Sequence, residues 1–149
     1  MKKKSKLSVL YYLPPLPMEL NKYFDAEFTK LLEKYNGFFA FGTRQFEEAK
    51  KEGYRYINMW GGLLIGRPED ANIEPQAYGD QFWAELETIT KESARRDLEE
   101  FGLERIIRYE LDNHETEYTW NIQPAFEALE KFGATLDQVR LVFRGKSIA

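Results

Sequence analysis

Apolar side chains recur along this chain first at the spacing of a helix, then at that of a strand, then at that of a helix again. Phe24, Phe28, Leu31, Leu32 and Tyr35 fall at i, i+4, i+7, i+8 and i+11, one stripe of an amphipathic helix. Asn36-Gly37 ends it, with Gly37 expected in the left-handed position that glycine takes without steric cost. Phe38-Phe39-Ala40-Phe41 reads as a short buried strand. Thr43 is expected to cap a short helix through Lys51, with Phe46 and Ala49 facing inward and Gly53 as terminator. From Tyr54 to Trp60 the period is two, placing Tyr54, Tyr56, Asn58 and Trp60 on one face and Arg55, Ile57 and Met59 on the other. Gly61-Gly62 then separates this run from Leu63-Leu64-Ile65, which predicts a hairpin. Gly66 and Arg67-Pro68-Glu69-Asp70 close it, because a residue before proline avoids helical angles and acidic residues suit a helix start.

Beyond about Asn72 the pattern is helical. Phe82, Trp83, Leu86, Thr90, Ala94, Leu98 and Phe101 make a broad apolar face, with Glu87 and Lys91, Glu92 and Arg96, and Arg95 and Glu99 paired outside. Gly102 bends or ends this helix, and Leu103, Ile106, Ile107 and Leu111 start another. Pro124 suits a helix start, followed by Ala125, Phe126, Leu129 and Phe132 up to Gly133. Thr135-Leu136-Asp137-Gln138 fits a capping box for a final helix closed by Gly145. The fold class is therefore α+β, a small three-stranded, mostly antiparallel sheet with four to six helices packed against it.

Length and charge sharpen this picture. A chain of 149 residues suits one domain, since about 150 residues bury roughly 68–70% of the surface the unfolded chain exposes. Residues 1–20 read as a basic, proline-containing arm, 21–145 as a single α+β domain, and 146–149 as a tail. The net charge of −4 hides a block of four lysines, Lys2, Lys3, Lys4 and Lys6; without it 17 basic residues face 25 acidic ones, a body of −8. Such a body repels phosphate backbones, so nucleic acid is not the expected partner and the block reads as a solubilising tail. Leu7 to Leu13 is too short for a secretory signal and is followed by Pro14, Pro15 and Pro17, and no run is long enough to span a membrane. A cytoplasmic protein is expected. Leu13-Pro14-Pro15-Leu16-Pro17 has polyproline-II character, which can dock aromatic grooves but here reads as a rigid spacer.

The candidate chemistry is sparse. Zero cysteine excludes disulfides and thiolate sites, and one histidine cannot build a multi-histidine metal site, so no metal or cofactor is expected. Asn113-His114-Glu115 lies just past the Leu103–Leu111 stripe. It reads first as a helix-ending histidine and second as a general base or metal ligand, with Glu110, Glu115 or Glu117 as partner carboxylate and Tyr118 or Trp120 as an aromatic wall. No serine sits in a Gly-x-Ser-x-Gly elbow, and Gly61 to Gly66 lacks the Lys and Ser/Thr of a phosphate loop. Aromatics make up 15% of the chain, and Tyr54, Tyr56 and Trp60 on one strand face read either as core or as a contact surface.

Phe38-Phe39-Ala40-Phe41, Gln45-Phe46 before an acidic helix, the Gly-rich hairpin, Asn113-His114-Glu115 and Tyr118-Thr119 together resemble a family of small uncharacterised proteins of bacteriophages and gut bacteria. The resemblance runs from Tyr23 to Phe143, implies one domain and a phage or prophage origin, and carries no activity. The function expected is that of a non-enzymatic binding protein, a phage accessory that binds and modulates a host protein such as a defence component. The alternative is a small-ligand or nucleotide-binding domain, or a minor enzyme, with its site at His114. The candidate binding residues are Tyr54, Tyr56, Trp60, Asn113, His114, Glu115 and Tyr118. A homo-oligomer is a further partner option.

Overall fold

The computed structural model describes residues 18–148, so the lysine block, Leu7–Leu13 and Leu13–Pro17 lie outside the described residues. Helix α1, Lys22–Lys34, follows the predicted stripe and buries Leu31. Its start is tied down by the backbone N–H of Asn21, which donates to the buried carboxylate of Asp97 at 3.1 Å. Its end differs from expectation. Asn36, not Gly37, takes the left-handed conformation, with φ 51°. Gly37 is needed for closeness instead, since a Cβ there would sit 2.8 Å from Leu32 Cδ2 and 3.3 Å from the Leu64 carbonyl oxygen.

The three strands are β1 (Phe38–Phe39), β2 (Tyr54–Trp60) and β3 (Leu63–Pro68), antiparallel throughout in the order β1-β3-β2. The expected buried strand Phe38–Phe41 is thus only two residues long and lies at a sheet edge, which leaves Phe39 46% and Phe41 75% exposed. Helix α2, Thr43–Ala49, begins at an N-cap of Gly42 with no side-chain cap, so Thr43 does not cap it. Gln45 Oε1 instead accepts the Phe41 N–H at 2.7 Å. The helix stops short of Lys51, whose N–H donates to the Tyr56 hydroxyl oxygen at 2.8 Å. The β2–β3 turn is made by Gly61 and Gly62 with φ 49° and 88°, the paired positive values of a tight hairpin turn.

Helix α3, Pro75–Phe101, runs 27 residues, about 40 Å at 1.5 Å per residue. Its first half packs Phe82 and Leu86 with Leu63 and Ile65 of β3 and with Leu31 and Tyr35. Beyond these, Ala94 joins a second core with Ile106, Ile107, Leu111, Ala125, Leu129, Phe132, Val139 and Val142. That core belongs to α4 (Leu103–Asn113), α6 (Gln123–Ala128), a 3-10 turn at Glu130–Phe132 and α7 (Leu136–Phe143). The one-turn α5, Thr116–Thr119, completes seven α-helices among the described residues. Gly102, φ 80°, separates α3 from α4, and the capping box of Thr135 with Gln138 forms as its sequence predicts. Leu20 and Ile148, placed in arm and tail by composition, both pack against the second core. Among the described residues no helix is long and apolar enough to cross a membrane.

Candidate functional site

The pairing of β2 with β3 decides which aromatics reach the surface. Tyr56 faces Gly66, Ile57 faces Ile65 and Asn58 faces Leu64, but Trp60 faces Leu63, so Met59 is an extra residue in a β-bulge. Paired residues share a face, so the bulge moves Trp60 to the side of the buried Leu63 and Ile65. The expected single face of Tyr54, Tyr56 and Trp60 does not exist. A period of two carried through Met59 predicts the wrong side for the residue after it.

On its new side Trp60 stacks on Trp83 of α3, with ring centroids 4.5 Å apart and planes 25° apart, and also reaches Phe82 at 6.4 Å. Both tryptophans stay partly in water, Trp60 at 41% and Trp83 at 46% exposed. Phe41 lies across the hairpin turn, so close that a Cβ on Gly62 would stand 2.8 Å from its ring. Phe41 stacks with Phe39 at 6.3 Å, Phe39 meets Phe28 at 6.4 Å, and Phe28 stacks with Phe24 at 5.4 Å. Around the hairpin end the chain carries no charge from residue 35 to 43 or from 56 to 66. Four large exposed rings form the candidate contact surface, Phe39, Phe41 and Trp60 on these uncharged stretches and Trp83 on α3 between the exposed Asp80 and Glu87.

Tyr56 has a packing role. Its ring meets Phe38 at 5.2 Å and Phe46 at 5.6 Å, both edge-on, which holds α2 to the sheet. Tyr54 is half-buried opposite Pro68. Neither pairs with a hairpin-end ring among the described residues.

The second candidate group is scattered. His114 ends α4, and its Nε2 lies 3.3 Å from Glu110 Oε2 one turn back, the partner that the spacing allows. Asn113 and Glu115 are exposed, and Glu115 takes a left-handed φ of 52°. Tyr118 and Trp120 stand 83% and 79% exposed, so neither builds a wall for His114. The nearby recess of about 280 Å³ is lined by Arg108, Asp112, Thr116, Glu117 and Phe143 among others, and His114 does not line it.

A groove of about 410 Å³ between α1 and α3 brings Lys34 and Glu85 into an ion pair beside Tyr35. Burial, aided by the Glu85 carboxylate, pushes the Tyr35 hydroxyl up. For Glu85, burial acts upward but is outweighed by Lys34 and Tyr35, which hold the carboxyl below its usual range. Both groups move away from neutrality, the reverse of what general acid–base work at pH 7 asks. They tie α1 to α3.

The molecule defined by these features is an α+β domain with one three-stranded sheet and a surface aromatic cluster, and among the described residues no group of three or more His, Asp or Glu is placed to hold a metal ion. The chain belongs to DUF7659, a family of unknown function, whose model matches residues 20–144. That match spans the stretch from Tyr23 to Phe143 over which the resemblance runs. No curated protein and no solved structure matches the chain.

Proposed function

We propose that the protein is a non-enzymatic binding protein whose contact surface is the aromatic end of the β2–β3 hairpin. The observation that carries this is the exposure of Phe39, Phe41, Trp60 and Trp83 together, from 41% to 75%, the first three on stretches without charge in an acidic chain. Aromatic rings held rigid by neighbours lose little entropy on binding and concentrate binding energy. Following the resemblance, the partner is a host protein, bound in the cytoplasm by a phage or prophage accessory protein that modulates it. Affinity capture from bacterial lysate with the wild type and with Phe41→Ser tests it, because Phe41 lies outside both cores. A stoichiometric partner lost by Phe41→Ser is expected. No stoichiometric partner, or one kept equally by Phe41→Ser and Trp83→Ser, overturns it.

The alternative is a small-ligand or nucleotide site beside His114. It draws support from Thr116, whose fully buried hydroxyl has no hydrogen-bond partner at the floor of the recess next to the α4 end. Thermal stabilisation by nucleotides that Thr116→Val abolishes would support it over the first reading.

A further inference from the structure

We propose that the protein partner places an arginine side chain on the stacked indoles of Trp60 and Trp83, with its guanidinium turned to the carboxylate of Asp80. This deepens the proposed function and rests on it for the existence of a partner. Trp60 and Trp83 lie 4.5 Å apart yet stay 41% and 46% exposed, so each keeps ring surface in water beyond the stack. Asp80, Trp83 and Glu87 stand at i, i+3 and i+7 on α3, one row of a helix face, and all three are exposed. The row is held from below. Phe82 is fully buried, and a Cβ on Gly79 would meet Met59 Cε at 3.7 Å, so the bulged end of β2 rests on this turn of α3.

The charge around the ring pair selects a basic occupant. From Pro68 to Thr90 the chain carries Glu69, Asp70, Glu74, Asp80, Glu85 and Glu87 and no Lys or Arg. Glu85 is engaged by Lys34 and Glu87 by Lys91, while Arg67, just before the run, donates to the carbonyl oxygens of Ala71 and Ile73. Asp80 has no cationic residue within four positions on either side. Such a surface attracts a basic partner and repels an acidic one.

The use made of rings elsewhere in the domain points the same way. Tyr23, Tyr35, Phe46, Phe101 and Phe132 each have a Lys or Arg cation of this chain 4.0 to 6.0 Å from the ring centre. Among the described residues no such cation stands over Trp60 or Trp83, although the indole is the ring that holds a cation best. An incoming side chain supplies it. Arginine suits the place better than lysine, because its planar, weakly hydrated guanidinium lies flat on an indole while its N–H groups reach a carboxylate.

The chain has three tryptophans, so three indole N–H signals in NMR report separately on Trp60, on Trp83 and on Trp120, which is 79% exposed beside Phe143 of the second core. The probes are acetyl-leucyl-arginyl-leucinamide and its citrulline counterpart, which has the same shape without the charge. We expect the arginine peptide to shift the Trp60 and Trp83 signals, to leave Trp120 unmoved, and to bind about two- to fivefold more tightly than the citrulline peptide. Asp80→Asn, a change on an exposed position, should remove most of that difference. Equal binding of the two peptides, shifts as large at Trp120, or no shift at millimolar peptide overturns the proposal. Lysate capture separates it from the reading it rests on. A partner lost by Phe41→Ser but kept in full by Asp80→Asn keeps the contact surface and overturns the arginine anchor. If no partner is captured while the peptides are still told apart, the proposed function falls and the preference of the indole pair for a guanidinium stands.

Discussion

The indole of Trp60 lies on the indole of Trp83, one from a bulged strand end and one from the third turn of the long helix, 4.5 Å apart at 25°. Nothing in the spacing of residues 60 and 83 requires this meeting; the bulge at Met59 creates it. Such a ring pair is worth about 0.5–1.5 kcal/mol beyond buried area. A double-mutant cycle of Trp60→Leu and Trp83→Leu by urea unfolding should return a coupling in that range, and additivity of the two single changes would refute the pair.

The hairpin turn sets a sharper contrast. Gly62 has φ 88°, and a Cβ there would stand 2.8 Å from the Phe41 ring and 3.0 Å from the Ala40 carbonyl oxygen, whereas Gly61 has φ 49° with open space around it. Gly62→Ala should therefore cost about 1–2 kcal/mol from the backbone alone, and more from the clash. Gly61→Asn should be nearly silent, since asparagine tolerates the left-handed region. Equal midpoints of thermal unfolding for the two variants would contradict the turn geometry.

In the first core, Phe82 is fully buried beneath β3. Phe82→Ala should cost about 3–5 kcal/mol, a large part of what a domain of this size has. Circular dichroism on heating should show the loss, and an unchanged midpoint would mean that this ring is not in the core.

At the other end, His114 pairs with Glu110, which is 9% exposed. His114→Ala should cost about 1 kcal/mol or somewhat more, above the median of exposed pairs because it strands a buried carboxylate. It should leave partner capture intact. Capture lost with folding preserved would move the site from the hairpin to the end of α4.

On acidification the carboxylate of one surface cluster should hold its charge longer than an ordinary glutamate. Glu92 accepts from Arg95 at 3.0 and 2.7 Å and from Arg96 at 3.0 Å, and these hydrogen bonds lower its carboxyl to about 2. A carboxyl lowered in the folded state adds stability above its ordinary pKa and loses it as pH falls from about 4.5 towards about 2. The group is exposed, so the effect on overall stability is small. The carbon-detected NMR titration of Glu92 should have its midpoint near 2, and Glu92→Gln should flatten the stability profile over that window. A midpoint at the ordinary carboxylate value would break this account.

How far the sequence reached depends on the range of the interactions involved. The capping box at Thr135 and the partnership of His114 with Glu110 are legible because both are settled within four residues. Helix stripes such as Phe24 to Tyr35 are legible because burial on one side imposes their period. The exposed surface is not. Phe38-Phe39-Ala40-Phe41 looks like a core strand, and only its place at the sheet edge puts Phe39 and Phe41 in water. Trp60 is misplaced because a bulge is set by register with β3, which no period within β2 encodes. The signal that does point to the hairpin end is the lack of charge over residues 35–43 and 56–66, two stretches that only the β1–β3 pairing brings together.

Because α3 contributes Phe82 and Leu86 to one core and Ala94 to the other, the two cores have a common spine. Melting either end frays a helix that the other end needs, so the domain should lose its structure in one calorimetric transition. Hydrogen exchange then turns this spine into a reporter. A partner seated on Trp83 should slow exchange at Val139 and Val142, in a core it never touches.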